Sequence, residues 1–237
     1  MQIKGFQKVS FIDYPGKISS VVFLPGCNFK CGFCHNRALV LPKEIEKLKT
    51  YSEKEILQYL EKNRNFIDAV VISGGEPTLH DLEKFLKKVK ELGFEVKLDT
   101  NGSNPKVIEK LIKENLIDYI AMDIKTSLEE YGKIVKSKNP NEIKRKIKQS
   151  INIIKNFKEY EFRTTVVPGL VKKKNLLKIA SLLKKLGANK KFVLQQFVPR
   201  NCVDPAFLKI ERTSLEELKE LKQILEPFFE KVEIRTE

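Results

Sequence analysis

Short runs of apolar, largely β-branched residues alternate along the chain with amphipathic helical segments, and this alternation limits the fold more than any other feature of the sequence. Residues 21–24 and 69–72 are apolar throughout, as expected of strands covered on both faces. Between them, Ser52 and Glu55 have capping-box spacing and predict a helix to about Asn63. Leu82, Phe85, Leu86 and Val89 follow at helical spacing, and Gly93 ends that helix. The order then recurs. A strand is expected at 94–98, then a helix with Asn104 as N-cap and Pro105 at its first position. Next come a strand at 119–122, a long basic helical region to Phe157, and a strand at 162–167. Leu176, Ile179, Ala180 and Leu183 form a helical stripe closed by Gly187, followed by a strand at 192–197. Thr213 with Glu216 is expected to cap a last helix, before a final strand at 232–235. Repeated β-then-α units predict parallel strands with right-handed crossovers. Six such units are too few to close an eight-stranded barrel. The expected fold is α/β, an open, partial barrel, with residues 1–237 as a single domain undivided by linkers.

The unusual residues gather after the predicted strands. Pro25-Gly26-Cys27 follows the first and Ser73-Gly74-Gly75-Glu76-Pro77 the second. Asp99-Thr100-Asn101-Gly102 follows the third, Asp123 and Lys125 the fourth, Pro168-Gly169 the fifth and Pro199 the sixth. In parallel α/β architectures the carboxyl ends of the strands share the ligand-binding face. Each turn alone is ordinary loop composition; together they mark one functional rim.

Three of the four cysteines crowd into that rim. Cys27, Cys31 and Cys34 have the spacing C-x3-C-x2-C, and Cys202 stands apart. Clustered thiols in a chain without a secretory signature point to metal or redox chemistry. Two metals fit at this level. Three thiolates can hold a [4Fe–4S] cluster and leave one iron without a protein ligand. Alternatively, His35 or Cys202 can complete a structural zinc site.

Composition narrows the setting. The chain is 41% hydrophobic and 32% charged, as for a globular protein. No apolar run approaches a membrane span, and the first residues lack the apolar core of a signal peptide, so the cytoplasm is the expected location. The net charge of +14 is first a lysine-rich surface, and second a means of attracting an acidic partner. The basic residues are spread along helices with no aromatic stacking motif, which argues against nucleic acid.

The cysteine loop, with Phe33 before the third cysteine, together with Ser73-Gly74-Gly75-Glu76-Pro77, resembles the signature of radical S-adenosylmethionine (SAM) enzymes. The resemblance spans nearly the whole chain and implies a partial (β/α)6 barrel. Asp13-Tyr14-Pro15-Gly16, Phe23-Leu24-Pro25-Gly26-Cys27, Cys34-His35-Asn36, Asp99-Thr100-Asn101-Gly102 and Met122-Asp123-Ile124-Lys125 are similar to activases of glycyl radical enzymes. The closest similarity is to activating proteins of anaerobic ribonucleoside-triphosphate reductase. Pyruvate formate-lyase activases differ: they carry Gly-Ile-Arg where this chain has Gly16-Lys17-Ile18, and a histidine where it has Gln195-Gln196-Phe197.

The resemblance implies an oxidoreductase. A [4Fe–4S] cluster on Cys27, Cys31 and Cys34 binds SAM at its open iron and cleaves it reductively. The resulting 5′-deoxyadenosyl radical takes a hydrogen from a glycine of a partner enzyme. Phe33, Cys34 and His35 are then expected beside the cofactor, with Gly74, Gly75 and Glu76 around its methionine end. Asp99, Asn101 and Asp123 are expected to bind the cofactor or a monovalent cation beside it, and Lys125 and Arg163 to meet its carboxylate or ribose. Several of these have plainer readings: Gly74-Gly75 as a simple βα turn, Asp99 and Asp123 as helix caps, Phe33 as core. His80 is read as a first-turn residue of its helix, and Cys202 as a buried thiol outside the cluster. Flavodoxin or ferredoxin is the expected electron donor, with no membrane partner. Two other functions are weighed: a small-molecule radical-SAM enzyme resembling 7-carboxy-7-deazaguanine synthase, whose family shows Cys-Asp-Thr where this chain has Cys34-His35-Asn36, and a zinc-stabilised basic RNA-binding module.

Overall fold

The computed structural model describes residues 1–236. In chain order its elements are β1 (Gly5–Tyr14), β2 (Lys17–Leu24), α1 (Arg37–Val40), α2 (Pro42–Ile45), α3 (Glu53–Lys62), β3 (Ala69–Gly74), α4 (Glu83–Glu91), β4 (Glu95–Thr100), α5 (Pro105–Lys113) and β5 (Tyr119–Asp123). There follow α6 (Tyr131–Ile134), α7 (Pro140–Ile154), β6 (Tyr160–Val166), α8 (Lys173–Lys185), β7 (Lys191–Gln196), α9 (Leu215–Leu225) and β8 (Lys231–Arg235). The strands follow one another in the sheet in chain order, which leaves the sheet open. By its internal contacts the chain divides into two compact units.

The first unit comprises Met1–Asn28, Asn36–Thr100 and Lys106–Ile120. β2, β3 and β4 are parallel, in register from Ser19↔Ala69 to Leu24↔Gly74 and from Ala69↔Glu95 to Ile72↔Leu98. Val21, Val22, Val70, Val71, Ile72, Val96 and Leu98 are wholly buried, which explains their unbroken apolar runs. The expected capping box opens α3: Ser52 accepts from the Glu55 N–H, and the Glu55 carboxylate accepts from the Ser52 N–H. β1 is a strand beyond those expected from the apolar runs. It runs antiparallel to β2, and Pro15-Gly16 makes the turn, with Gly16 at φ +72° as a Pro-Gly turn requires. His80 differs from its expected place: it ends the short 3-10 turn Pro77–Leu79, and α4 begins at Glu83.

The second unit comprises Phe29–His35, Asn101–Pro105 and the chain from Ala121 onward. β6, β7 and β8 are parallel, with Phe162↔Phe192 and Lys191↔Lys231 among the paired residues. Leu176, Ile179, Ala180 and Leu183 of α8 are buried as their spacing predicts. The long basic region is two helices. Lys136 takes φ 51°, and Pro140 restarts the helix behind Asn139, whose side chain accepts from the Glu142 N–H. The cap of α9 lies one residue later than expected. Ser214 accepts from the Glu217 N–H, while Thr213 is buried and its hydroxyl donates to the Val166 carbonyl.

Candidate active site

In the first unit, the end of β2 and the end of β3 are stitched together just before Cys27. The Gly75 N–H donates to the Leu24 carbonyl and the Glu76 N–H to the Gly26 carbonyl, each at 2.8 Å. The Gly26 N–H donates to the Leu39 carbonyl at 2.6 Å, and the Asn36 side-chain amide to the Gly74 carbonyl at 2.6 Å. A Cβ on Gly75 would stand 2.0 Å from the Gly26 carbonyl oxygen, and one on Gly74 2.4 Å from the Leu24 oxygen. Gly74 also has φ +117°. Both residues are therefore glycine for reasons internal to the chain: the backbones meet where any side chain would go. His80 adds a contact from its ring Nε2 to the Pro25 carbonyl at 2.7 Å.

Glu76 is wholly buried. Its Oε1 accepts from the Thr78 N–H at 3.1 Å, from the Thr78 hydroxyl, and from the Thr100 hydroxyl at 2.7 Å. Asp99 is held on both oxygens, by the Lys97 ammonium at 2.6 Å and the Ser73 hydroxyl at 3.0 Å.

In the second unit, Cys31 and Cys34 share a tight turn, with the Cys34 N–H on the Cys31 carbonyl at 3.2 Å. The segment 202–207 braces this turn. The Val203 N–H donates to the Cys34 carbonyl at 3.0 Å and the Asp204 N–H to the Gly32 carbonyl at 2.9 Å. Phe33 is buried and packs edge-on against Phe207 at 6.2 Å between centroids; His35 lies tilted over Phe197 at 5.7 Å. Cys202 is buried, and burial pushes its thiol upward in pKa, with the neighbouring charge of Cys34 adding to the shift.

A carboxylate held between two cations stands at the end of β5. Asp123 meets Lys125 at 2.9 Å and Arg163 Nε at 2.7 Å. Burial opposes the charged form of Asp123, but Arg163 and Lys125 outweigh it and hold the carboxyl well below the usual range. Burial likewise opposes the Lys125 charge. Asp123, then Cys31 and Cys34, outweigh it and keep the ammonium protonated far above its ordinary value. Two of the three clustered thiols therefore lie within electrostatic reach of this centre, and soft thiolate donors suit an iron–sulfur group. Asn101 is buried and accepts from the Ser103 N–H at 2.9 Å; the neighbouring Gly102, at φ +74°, lies against Met122 and takes the Ser150 hydroxyl on its carbonyl at 2.7 Å.

The motifs of the sequence include Ser73, Asn36 and Phe197 without giving them a role of their own, and they leave out Lys97 and Phe207. A signal existed for Lys97: Lys-x-Asp on a strand puts both side chains on one face.

Residues 21–186 match the family model of the Radical SAM superfamily. The chain belongs to that superfamily. A protein of Methanocaldococcus jannaschii provisionally named a glycyl-radical enzyme activating enzyme is 40% identical over 238 residues, covering 99% of this chain and 95% of the relative. The pyruvate formate-lyase-activating enzyme of Clostridium pasteurianum is 28% identical over 78% of this chain and 77% of its own. This radical SAM protein is thus a member of the glycyl-radical enzyme activating group, an oxidoreductase of SAM and [4Fe–4S] chemistry. Its fold is the open, partial (β/α) barrel with a mixed sheet. Solved structures bear on the fold alone. A structure of TYW1 with a lysine-pyruvate adduct bound aligns with TM-score 0.64 at 19% identity, covering 89% of this chain and 74% of that one. QueE from Escherichia coli aligns with TM-score 0.59 at 14% identity, covering 100% of this chain and 93% of its own. Among the described residues no helix is long and apolar enough to cross a membrane.

Proposed function

We propose that this radical SAM protein activates anaerobic ribonucleoside-triphosphate reductase, with Cys27, Cys31 and Cys34 as the cluster ligands. Bound there, the cluster and SAM supply a carbon radical able to take a hydrogen from a glycine backbone of the partner. The single observation that most supports this site is the Cys31–Cys34 turn, whose sulfurs lie within electrostatic reach of Lys125, a residue that Asp123 pairs with as it also pairs with Arg163. Phe33 and His35 follow from the same turn and flank the cofactor. Lys125 and Arg163 present cationic donors of the kind a carboxylate or ribose takes, and Asp123 fixes their positions. Gly74, Gly75 and Glu76 hold the chain just before Cys27: the glycines let the two backbones meet, and Glu76 pins Thr78 and Thr100. Asn101, by bonding Ser103, keeps the turn after β4 in shape.

The partner reading follows the motif similarity to reductase activases, supported by departures from the pyruvate formate-lyase activases at Gly16-Lys17-Ile18 and Gln195-Gln196. An acidic flavodoxin or ferredoxin in the cytoplasm is the proposed electron source. The test is to mix reduced protein, SAM and the anaerobic ribonucleotide reductase of the same organism. A glycyl radical signal in electron paramagnetic resonance is expected on the reductase. A signal formed only on another glycyl radical enzyme would refute the choice of partner.

A further inference from the structure

Lys97 is an ammonium buried inside a strand. It stands two residues before Asp99 on the same face of β4 and is 2% exposed. Its Nζ lies 2.6 Å from Asp99 Oδ1, while the Ser73 hydroxyl takes Oδ2 at 3.0 Å. A lysine so enclosed is costly unless a carboxylate meets it, so the pair is fixed in place, unlike a surface ion pair that samples solvent. The second unit repeats the pattern independently. Asp123 gives Oδ2 to Lys125 and Oδ1 to Arg163. Both oxygens of both carboxylates therefore already serve donors of the chain itself.

This arrangement does not fit the monovalent cation that the motif resemblance implied at these aspartates. A sodium or potassium ion needs oxygen ligands, and here Asp99 Oδ1 and both oxygens of Asp123 already meet an ammonium or guanidinium, while Asp99 Oδ2, on the Ser73 hydroxyl, belongs to a carboxylate whose charge Lys97 already balances. The like charges would repel at close range, in a setting where screening is weak. We propose that Lys97 is a tethered counter-cation that takes the place of a soluble monovalent ion at Asp99, so that this protein binds SAM without sodium or potassium. Lys97 is a positioning residue: it acts through Asp99, not on the reacting atoms. The proposal rests on the site reading above.

Two measurements on the anaerobically reconstituted holoprotein test it. The first is the sodium NMR linewidth, which reports ion binding whether or not SAM is cleaved and so stands apart from the proposed activity. Wild type and Asp99→Asn should give the same linewidth titration. A saturable component present in wild type and missing from Asp99→Asn would overturn the proposal. The second is SAM affinity with all alkali cations replaced by tetramethylammonium at constant ionic strength. Wild type should be unaffected. Lys97→Met should bind about tenfold more weakly, as expected for a lost charge-assisted hydrogen bond, and potassium should restore it. Lys97→Arg, which keeps the charge, should remain indifferent to potassium. A folded Lys97→Met that potassium does not rescue would also refute the idea, as would a wild type that needs the ion. Should Lys97→Met fail to fold, the wild-type and Asp99→Asn titrations decide alone.

Discussion

Gly75 shows how a motif residue can serve a site through the packing of its own backbone. Its missing side chain leaves room for the Gly26 carbonyl, one residue before Cys27. Gly75→Ala must push these backbones apart, and we expect it to cost about 1–3 kcal/mol of stability, the usual range for overpacking. Denaturant midpoints would measure this, and iron content after reconstitution should fall with it. At the cysteines the outcomes should separate sharply. Wild type is expected to bind about four irons per chain. Replacing Cys27, Cys31 or Cys34 with Ala should abolish that iron, whereas Cys202→Ala should keep it. Iron retained in any of the three variants would reject the ligand set. The cysteines and the strand-end motifs were legible because their chemistry is carried by residue type and spacing. The role of Lys97 was legible only in part: Lys-x-Asp puts it on the face of Asp99, but its burial and the 2.6 Å ion pair appear only in the fold.

At the scale of elements, the parallel strands and their helices could be read from periodicity, since both faces of those strands are covered. β1 could not. Its pairing with β2 shifts register between Gln7 and Ser10 and again between Ser10 and Tyr14, which breaks the alternation by which an antiparallel strand is recognised. It also leaves Phe11 and Ile12 exposed, at 70% and 82%. The last three strands carry a feature that charge counting hides. Glu161 of β6 is wholly buried and meets Arg235 of β8 at 3.0 and 3.2 Å and Lys191 of β7 at 3.1 Å. Burial pushes its carboxyl up, but Arg163, Arg235 and Lys191 outweigh burial and bring it down to about 2. The unfolded chain, with Glu near pKa ~4.3, binds more protons between these values, so stability rises with pH there. The contribution is present above pH ~4.3 and is lost as pH falls toward about 2. It is on the order of 3 kcal/mol, since each tenfold change in proton affinity is worth about 1.4 kcal/mol. Urea midpoints across that window should fall steeply in wild type and more gently in Glu161→Gln. Equal slopes would show that the β6–β8 ion pairs do not govern acid stability.

The whole molecule carries 45 Lys and Arg against 31 Asp and Glu, a surplus of +14. Much of the surface charge is matched locally, as in Lys87 and Lys110 on Glu83 and Lys146 on Glu142, and such exposed pairs contribute little to stability. The unmatched remainder creates a long-range positive field, which acts on encounter more than on folding. The proposed chemistry needs a low-potential electron delivered by another protein, and an acidic flavodoxin or ferredoxin would be drawn in by that field. Such steering must weaken as salt rises, because the screening length shortens to about 8 Å near physiological ionic strength and to about 3 Å at 1 M. Reduction of the reconstituted protein by an acidic donor, followed by stopped-flow absorbance, should therefore slow by about tenfold from low to high salt. Dithionite, a small reductant that needs no protein docking, serves as the control. A donor rate that does not change with salt would reject steering by the surplus charge. An equal fall for both reductants would trace the effect to small-anion attraction, leaving no docking preference for an acidic protein.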